Sequence, residues 1–400
     1  MTYLNTGYRL QQTLILICLL TLVACKSQKN KKNLQEAYLI DLPHYTLEES
    51  EKQSLQQQCA EWYDSFLNPS NFNGGILVAK NGVPVFEKYR GDVALKEDLP
   101  INENTPFHIA SVTKTFTAMG ILWLAQQNQL NIDTSLNQIF PGLDLPGVTI
   151  RTLLNHRSGL PNYAYFMEDL GWDKKSILTN QDILNALIQR KKEIKNIGRA
   201  DRYFSYSNTN YALLALVLEK ISGKSYAGFM QEHFFKPLNM KNTFVFRMND
   251  SLHNGLSYDW KGQEIPVNFL DDVYGDKNIY STPQDLLQWS RGLREGILFT
   301  KETLEAAFTP YSHEKPGIKN YGLGWRMNVY EDGTKTTFHN GWWHGNNAVF
   351  IHLIQPNATI IVLGNRFTRN IYKAYKLAGI FIPSLRKVLA EPDHEGHGAP

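Results

Sequence analysis

The chain has 400 residues, of which 42% are hydrophobic and 12% aromatic, so it can bury a large core and is not disordered throughout. Its 41 basic and 38 acidic residues give a formal net charge of +3, and no basic stripe marks a nucleic-acid partner. Glycine-rich phosphate loops are also missing from the sequence, so we expect no nucleotide or other cofactor.

The first 24 residues are predicted to be an export signal. Arg9 precedes the apolar run TLILICLLTLVAC, which ends in small residues and is too short to span a membrane comfortably. Its last four residues, LVAC, resemble the lipobox of bacterial lipoproteins, which implies that Cys25 is lipidated and begins the mature chain. A plain signal peptide and a transmembrane anchor are the alternatives. Lys26 stands where some bacteria place an aspartate to retain lipoproteins in the inner membrane, so we expect an outer-membrane anchor facing the periplasm.

Composition divides the rest of the chain into three segments. Residues 25–45 include the basic stretch KSQKNKKNLQEA and are predicted to be a polar tether. Residues 46–388 are predicted to form the folded domain, and residues 389–400 a flexible tail. Cys59 is the one cysteine left for the folded part, where we expect a buried structural thiol and no disulfide.

The front of the domain is predicted to be a helix followed by a hairpin. Thr46 is a candidate N-cap for the helix-forming segment TLEESEKQSLQQQCAEWYDSFL. The segment GGILVAKNGVPVFEKYRGDV then contains two strand-like runs joined by Asn81 and Gly82. A helix is predicted from about Ser111 to Gln127, and it opens a mostly helical region within about residues 111–300.

Two further helices are expected in this region. One runs through YSNTNYALLALVLEKISG and ends at Gly223, and the other runs through TPQDLLQWSRGL. His156 and Arg157 lie beside a glycine and a proline, which favours a structural turn for both.

The end of the domain changes to strand periodicity. The runs TFHNGWWHGNNAVFIHLI and ATIIVLGNR are split by Pro356 and Asn357 and predict adjacent antiparallel strands. A closing helix is expected over NIYKAYKLAGIFIPSLRKVLA. Strands at both ends of the chain predict an α/β (α+β) fold, in which helices flank one mixed antiparallel sheet and a mostly helical insertion separates its two halves.

Three SxxK pairs occur in the chain, and context favours one of them. Ser312 lies in a proline-bounded loop, and Ser384 lies in the terminal helix far from other polar candidates. Ser111 begins a helix after an extended segment, so Lys114 falls on the same face one turn later. A serine needs a base within hydrogen-bond reach to act as a nucleophile. The alternative is an N-cap serine with a solvated lysine.

Two later motifs strengthen the interpretation of Ser111 and Lys114 as a catalytic pair. Tyr206 and Asn208 flank a serine just before a helix, and His339 and Gly341 flank an asparagine at the end of a threonine-rich strand. The same HNG tripeptide at His253 has no strand before it, so His339 is preferred.

In this order, SxxK, YxN and HxG resemble the three boxes of the serine β-lactamase and penicillin-binding-protein family. Three segments are similar in sequence to the class C branch of this family, namely FHIASVTKTFTAMGILWLAQQNQLNID, LLNHRSGLPNY and YGLGW. This branch includes D-aminopeptidases, DD-carboxypeptidases and β-lactamase-fold esterases. The resemblance spans roughly residues 70 to 366. It implies a β-lactamase/transpeptidase-like fold and catalysis through an acyl-enzyme.

The resemblance also implies three catalytic residues. Ser111 would be acylated, and Lys114 would lie beside it as base or proton relay. Tyr206 would be the second general acid and base and would activate the deacylating water or acceptor.

Four residues would bind the substrate by the same resemblance. Asn208 would hydrogen-bond the substrate amide and orient Lys114. His339 would contact the substrate carboxylate or Tyr206, in the place of the family's lysine. Gly341 would leave room for substrate along the strand, and the backbone amide of Trp342 would join that of Ser111 in an oxyanion hole.

The sequence departs from the family's pattern in two ways. His339 is mostly neutral near pH 7, which weakens the cation expected for a substrate carboxylate. Trp342 and Trp343 are bulky and could narrow the cleft, and packing in the hydrophobic core is an equal explanation for either side chain. His344 suggests a metal pair with His339, but no acidic ligand is close in sequence, so no metal site is expected.

The function expected is that of a lipid-anchored serine hydrolase. Its substrate would be a small molecule or peptide with an ester, amide or D-amino-acid peptide bond, such as a fragment of peptidoglycan. The alternatives are a true β-lactamase and a non-catalytic binding or sensor protein of the cell envelope on the same fold.

Overall fold

A computed structural model describes residues 39–248, 256–294 and 296–390. The predicted signal peptide, Cys25, most of the tether, the second HNG tripeptide and the last ten residues lie outside the described residues and stay predictions. Within the described ranges, no helix combines the length and the hydropathy needed to cross a membrane.

Twelve α-helices are present in the described chain. They are α1 Glu49–Phe66, α2 Thr113–Gln126, α3 Leu136–Ile139, α4 Ile150–Leu154, α5 Tyr163–Asp169, α6 Asn180–Gln189, α7 Asn208–Ser222, α8 Tyr226–Met230, α9 Pro283–Gly292, α10 Lys301–Ala307, α11 Ala378–Phe381 and α12 Arg386–Ala390. A π-helical turn at Gln231–Phe235 follows α8, and 3-10 turns occur at Ala110–Val112, Lys191–Glu193, Arg369–Leu377 and Pro383–Leu385.

Ten β-strands form two antiparallel sheets in the described chain. They are β1 Gly74–Lys80, β2 Val83–Arg90, β3 Phe107–His108, β4 Phe244–Val245, β5 Ile279–Ser281, β6 Lys319–Tyr321, β7 Arg326–Val329, β8 Lys335–Trp343, β9 Asn346–Leu353 and β10 Ala358–Gly364. The large sheet has the order β2-β1-β10-β9-β8-β7-β6, and the small one has the order β3-β5-β4.

The large sheet joins the two ends of the domain. β1 and β2 form the predicted hairpin, whose turn residues Asn81 and Gly82 have φ of 53° and 75°, the left-handed conformation that two-residue hairpin loops require. β1 also pairs with β10, from Gly74 opposite Gly364 to Lys80 opposite Ala358. Helices and the small sheet occupy the chain between the two halves, which confirms the predicted fold class.

Several element boundaries differ from the predictions. The region before Pro356 contains two strands, because the chain turns between β8 and β9 at His344, which has φ of 53°. The first helix begins at Glu49, and no side chain caps it, so the cap at Thr46 is wrong. The closing helix is broken into short 3-10 and α segments, and the break after Phe381 precedes Pro383, which cannot continue a helix interior.

Two apolar layers cover the two faces of the large sheet. Alternate residues of β1 point to opposite sides, so that Ile76 and Val78 meet the layer that includes α1, while Leu77 and Ala79 meet the helical region. Cys59 is buried in the α1 layer, and burial raises the pKa of its thiol to about 12, which confirms a structural thiol. The helical region is therefore attached to the sheet by a continuous core.

A buried histidine in β9 makes stability depend on pH. His352 has its Nδ1 2.8 Å from the Ser290 hydroxyl, and burial lowers its pKa to about 4. The unfolded chain takes up a proton near pH 6.5, whereas native His352 does so only near its lower pKa. We therefore expect the free energy of unfolding to fall as the pH drops from about 6.5 toward 4, by about 1.4 kcal/mol per pH unit for this residue.

Urea unfolding of the wild type and of His352→Gln at a series of pH values measures this contribution. The variant should lose stability less steeply over that range. Equal slopes for the two proteins would show that His352 does not contribute.

Candidate active site

Ser111 lies in a strained turn between β3 and α2. This Ser111 turn, Ala110–Val112, contains Ala110 with φ of 46°, a conformation that is costly for a residue with a Cβ. The Ala110 amide donates to Nδ1 of His108 at 3.1 Å, and Nε2 of His108 lies 3.2 Å from Oδ1 of Asn278. These contacts hold the turn, and the serine side chain caps no helix, so the N-cap interpretation is wrong.

Lys114 is completely buried one turn after Ser111. Its Nζ donates to Ser111 Oγ at 3.0 Å and to the backbone carbonyl of Asp276 at 2.8 Å. The same nitrogen lies over the rings of Tyr206 and Tyr211, at 5.1 and 5.6 Å from their centroids. The solvated lysine of the alternative interpretation is therefore excluded.

Tyr206 lies on the other side of the serine. Its hydroxyl is 3.0 Å from Ser111 Oγ, so this oxygen has two possible proton partners. His156 packs against the Tyr206 ring with centroids 4.3 Å apart and accepts hydrogen bonds from the Ser207 amide and the Asn210 side chain. His156 thus supports the chain around Tyr206, a structural role that agrees with the prediction.

Asn208 does not orient Lys114 in this structure. It begins α7, and its Oδ1 is buried without a hydrogen-bond partner among the described residues. The carbonyl of Asp276 takes the orienting position instead, because it accepts from Lys114 Nζ. The predicted contact of Asn208 with a substrate amide stays a prediction, and its free oxygen is available for it.

His339 is buried in β8 and is hydrogen-bonded to Tyr321, and not to Tyr206. Its Nδ1 lies 2.8 Å from the carbonyl of Asn340, and its Nε2 lies 3.1 Å from the Tyr321 hydroxyl. Burial holds the pKa of His339 well below its usual range, and the nearby charges of Arg326 and Lys114 lower it further. The ring is therefore neutral near pH 7 and cannot supply a cation.

Gly341 lies against the Ser111 turn. A Cβ at this position would be 2.4 Å from the carbonyl oxygen of Ile109 and 3.1 Å from the amide nitrogen of Ser111. The glycine is therefore required by the close approach of β8 to the turn, which differs from the predicted reason of space for substrate. The predicted role toward substrate stays a prediction.

The two indoles after Gly341 differ in environment. Trp342 is 52% exposed and donates from Nε1 to the carbonyl of His344 at 2.7 Å. Trp343 is partly buried, and its Nε1 lies 2.5 Å from a carboxylate oxygen of Asp271. His344 also bonds to Asp271, at 3.1 Å, and no group of His, Cys, Asp and Glu side chains in the described chain is arranged to hold a metal.

Arg326 was missed in the sequence although it directly follows the motif YGLGW. Its guanidinium carbon lies 5.0 Å from the centroid of the Tyr206 ring. Its Nε is buried without a partner, and no nitrogen of this side chain forms a hydrogen bond or an ion pair with another described residue. Arg326 is thus an uncompensated cation beside a predicted catalytic tyrosine.

A cleft of about 700 Å³ opens next to Arg326. Its wall includes Phe204, Tyr321, Phe338, Lys315 and Lys319. The volume is in the range of pockets that hold small molecules and short peptides. Arg326 lines this cleft and also lies over the Tyr206 ring, whereas Ser111, Lys114 and Tyr206 themselves do not line it.

A family model described as Beta-lactamase matches residues 70–381. Penicillin-binding protein 4* of Bacillus subtilis (strain 168) is 31% identical over 332 residues, which cover 79% of this chain and 73% of that protein. The match of the family model spans more than half of the chain, so the protein belongs to the Beta-lactamase family. Members of this family are generally serine hydrolases, and the predicted family is confirmed.

Solved structures agree with this assignment. The crystal structure of a penicillin binding protein from Bacillus halodurans has a TM-score of 0.68 at 25% identity, and the match covers 83% of this chain and 98% of that one. A class C beta-lactamase has a TM-score of 0.67 at 20% identity, covers 84% of this chain and 98% of its own, and shares the fold.

The contact between Gly341 and the Ser111 turn predicts that a single added methyl group lowers the stability of the fold. Gly341→Ala should lower the free energy of unfolding by about 1 to 3 kcal/mol, because the new Cβ forces the strand and the turn apart. Gly379→Ala is the matched control, since its Cβ would meet its nearest neighbour at 3.4 Å, an ordinary contact. Denaturant unfolding measures both, and wild-type stability in Gly341→Ala would contradict the close approach.

Proposed function

We propose that this protein is a serine hydrolase of the cell envelope that forms an acyl-enzyme on Ser111. Its substrate would contain an ester, an amide or a D-amino-acid peptide bond. The observation on which this rests is the position of Ser111 Oγ, which lies 3.0 Å from both Lys114 Nζ and the Tyr206 hydroxyl. A binding protein needs no such pair of proton acceptors around a serine.

The geometry supports a two-step reaction. In the first step Ser111 Oγ attacks the acyl carbon, its proton moves to Lys114 or Tyr206, and the leaving group departs with a proton from the same pair. In the second step a water molecule attacks the ester on Ser111, gives its proton to the pair, and releases the acid while Oγ regains a proton. Both partners are already within hydrogen-bond distance, so no rearrangement of Lys114 or Tyr206 is required.

The oxyanion hole would consist of the backbone amides of Ser111 and Trp342. This proposal is supported by the close approach of Gly341 to the Ser111 amide, which brings the end of β8 beside the turn. Backbone amides placed in this way stabilise the negative charge on the carbonyl oxygen in the transition state, and the loss of one such donor costs about 100 to 1000-fold in rate.

The charge of the cleft favours a substrate with a carboxylate. The charge of Arg326 has no acidic partner among the described residues, and Lys315 and Lys319 lie on the cleft wall. The acidic residue of this wall, Glu314, already accepts a hydrogen bond from Arg157 at 2.7 Å. Because His339 is neutral, Arg326 would take over the recognition of the carboxylate. The names of the two penicillin-binding relatives support this choice, because penicillin itself carries a carboxylate.

We further propose that the protein is exported and anchored by a lipid on Cys25, on the periplasmic side of the outer membrane. The support for this part is the sequence alone: the apolar run, its small residues before Cys25, and Lys26 after it.

The acyl-enzyme is tested with a fluorophosphonate probe. Mass mapping should find the adduct on Ser111, and Ser111→Ala should abolish it. Ser312→Ala is the matched control, because it removes the serine of a second SxxK pair, which lies in the loop before β6. An adduct that persists in Ser111→Ala would overturn the assignment. Equal inertness of the wild type and of Ser111→Ala toward all substrates would favour the binding protein.

The role of Arg326 is tested with two substrates that differ in one group. A D-alanyl-D-alanine peptide has a C-terminal carboxylate, and its amide does not. Arg326→Met should lower kcat/KM for the acid by about 10 to 100-fold, because a charged hydrogen bond is lost, and should change that for the amide little. Lys319→Met removes an exposed cation from the same wall, and it should lower kcat/KM for the acid less than Arg326→Met does. A loss of the same size for both peptides would refute carboxylate recognition.

A further inference from the structure

A second, smaller cavity adjoins the Ser111 turn. Its volume is about 220 Å³, and its wall includes His108 and Asn278, the two side chains that hold the turn. None of the catalytic or substrate-binding residues predicted from the sequence lines it, and Arg326 does not line it either. The cavity is therefore a neighbour of the proposed active site that shares none of its reacting groups.

Two buried polar side chains on the wall have no hydrogen-bond partner in the described chain. Asn346 is 3% exposed and Tyr280 is 7% exposed. Neither the Asn346 amide nor the Tyr280 hydroxyl bonds to another described residue. Because buried polar groups in folded proteins are nearly always hydrogen-bonded, both groups are available to a molecule inside the cavity.

The cavity wall is negatively charged. Its carboxylates are those of Asp271, which is buried, and Glu264, which is exposed. His344 Nε2 lies 3.1 Å from each carboxylate oxygen of Asp271. Even when His344 carries a proton and balances Asp271, Glu264 leaves the wall with a net negative charge. No lysine or arginine of the described ranges lines the cavity.

The cation next to this wall already has a partner. Lys277 Nζ lies 4.8 Å from the centroid of the Trp343 ring, outside the cavity lining. The same nitrogen lies 3.7 Å from the carboxylate of Asp276, so the charge of Lys277 is paired there. Lys277 therefore does not cancel the charge of the cavity wall.

Aromatic rings complete the lining. Phe246, Tyr280 and Trp343 each contribute to the wall. The face of an aromatic ring attracts a cation within about 6 Å, and the rings also suit an apolar chain attached to the cation. The volume is below the range of about 300 to 1,000 Å³ that drug-sized ligands occupy, so the ligand must be short.

We propose that this cavity binds a primary ammonium group on a short apolar chain. The Tyr280 hydroxyl and the Asn346 carbonyl oxygen accept hydrogen bonds from the ammonium, the wall carboxylates balance its charge, and the rings cover the chain. The group belongs either to a free amine or to the amino end of the substrate. Binding itself is independent of the proposed function, and the assignment to substrate rests on it.

Binding is tested with n-butylammonium, and 1-butanol is the neutral control of the same length. Each is titrated into the full chain near pH 7, and ¹⁵N NMR follows the indole N–H resonance of Trp343, assigned by its loss in Trp343→Phe. Butylammonium should shift this resonance saturably with a Kd of about 1 mM, as expected for so small a ligand. 1-Butanol should bind at least about tenfold more weakly.

Two variants remove one acceptor each and keep the size of the side chain. Tyr280→Phe and Asn346→Leu should each weaken butylammonium binding by about tenfold or more, because a hydrogen bond to a charged group is lost. Glu264→Gln removes an exposed charge and should weaken it by about two- to fivefold. Tyr274→Phe is the matched control and should bind like the wild type, because its hydroxyl bonds to Glu219 at 3.0 Å and lies outside the cavity lining.

The source of the ammonium group is distinguished with D-alanine p-nitroanilide and its N-acetyl derivative. A preference for the free amine that Asn346→Leu abolishes assigns the group to the substrate. Butylammonium binding without such a preference assigns it to a separate ligand. If neither compound is hydrolysed and the fluorophosphonate does not label Ser111, the proposed function fails while butylammonium binding stands.

Three results would overturn the ammonium site. These are equal responses to butylammonium and 1-butanol, no saturation up to about 50 mM, roughly fifty times the expected Kd, and binding that neither Tyr280→Phe nor Asn346→Leu weakens. If one of these variants does not fold, the other decides. If both fail to fold, Glu264→Gln and the comparison of the two probes on the wild type decide.

Discussion

The hydrogen bond from Lys114 Nζ to the carbonyl of Asp276 is the contact on which the arrangement of the site depends. A buried amine must have its donors satisfied, and this carbonyl and Ser111 Oγ are its hydrogen-bond acceptors. The next residues of the same segment continue into β5, which pairs with β3 just before the Ser111 turn. One short stretch of chain therefore sets the position of the lysine and that of the serine together.

The strain at Ala110 is sustained by contacts on both of its sides. His108 and Asn278 hold the turn from the small sheet, and Gly341 allows β8 to press against it from the large sheet. Thr117 of α2 donates to the carbonyl of Gly275 at 2.7 Å and ties the helix to the same segment. The helix, both sheets and the Asp276 segment thus determine the turn jointly, as expected for a strained backbone that persists in a folded protein.

Much of this architecture could be predicted from the sequence where local chemistry is distinctive. The turn at Asn81 and Gly82 requires positive φ, and the spacing of Ser111 and Lys114 matches one helical turn, so both were predictable. The carbonyl of Asp276 could not be found, because a backbone acceptor has no signature in the residue type. Strands of two residues, such as β3, are too short to show a period. Arg326 could not be found either, because only the three-dimensional structure shows that its side chain has no hydrogen-bond or ion-pair partner among the described residues.

Under the proposed function, the charges of the site are separated by role. The proton-transfer centre is surrounded by the neutral imidazoles of His156 and His339 and by tyrosine hydroxyls. The uncompensated cation, Arg326, lies on the cleft side of the Tyr206 ring. A substrate anion can then be attracted and bound without placing its charge next to Lys114. The neutral His339 is consistent with this division, because a lysine at its buried position would add a further cation close to Arg326 and Lys114.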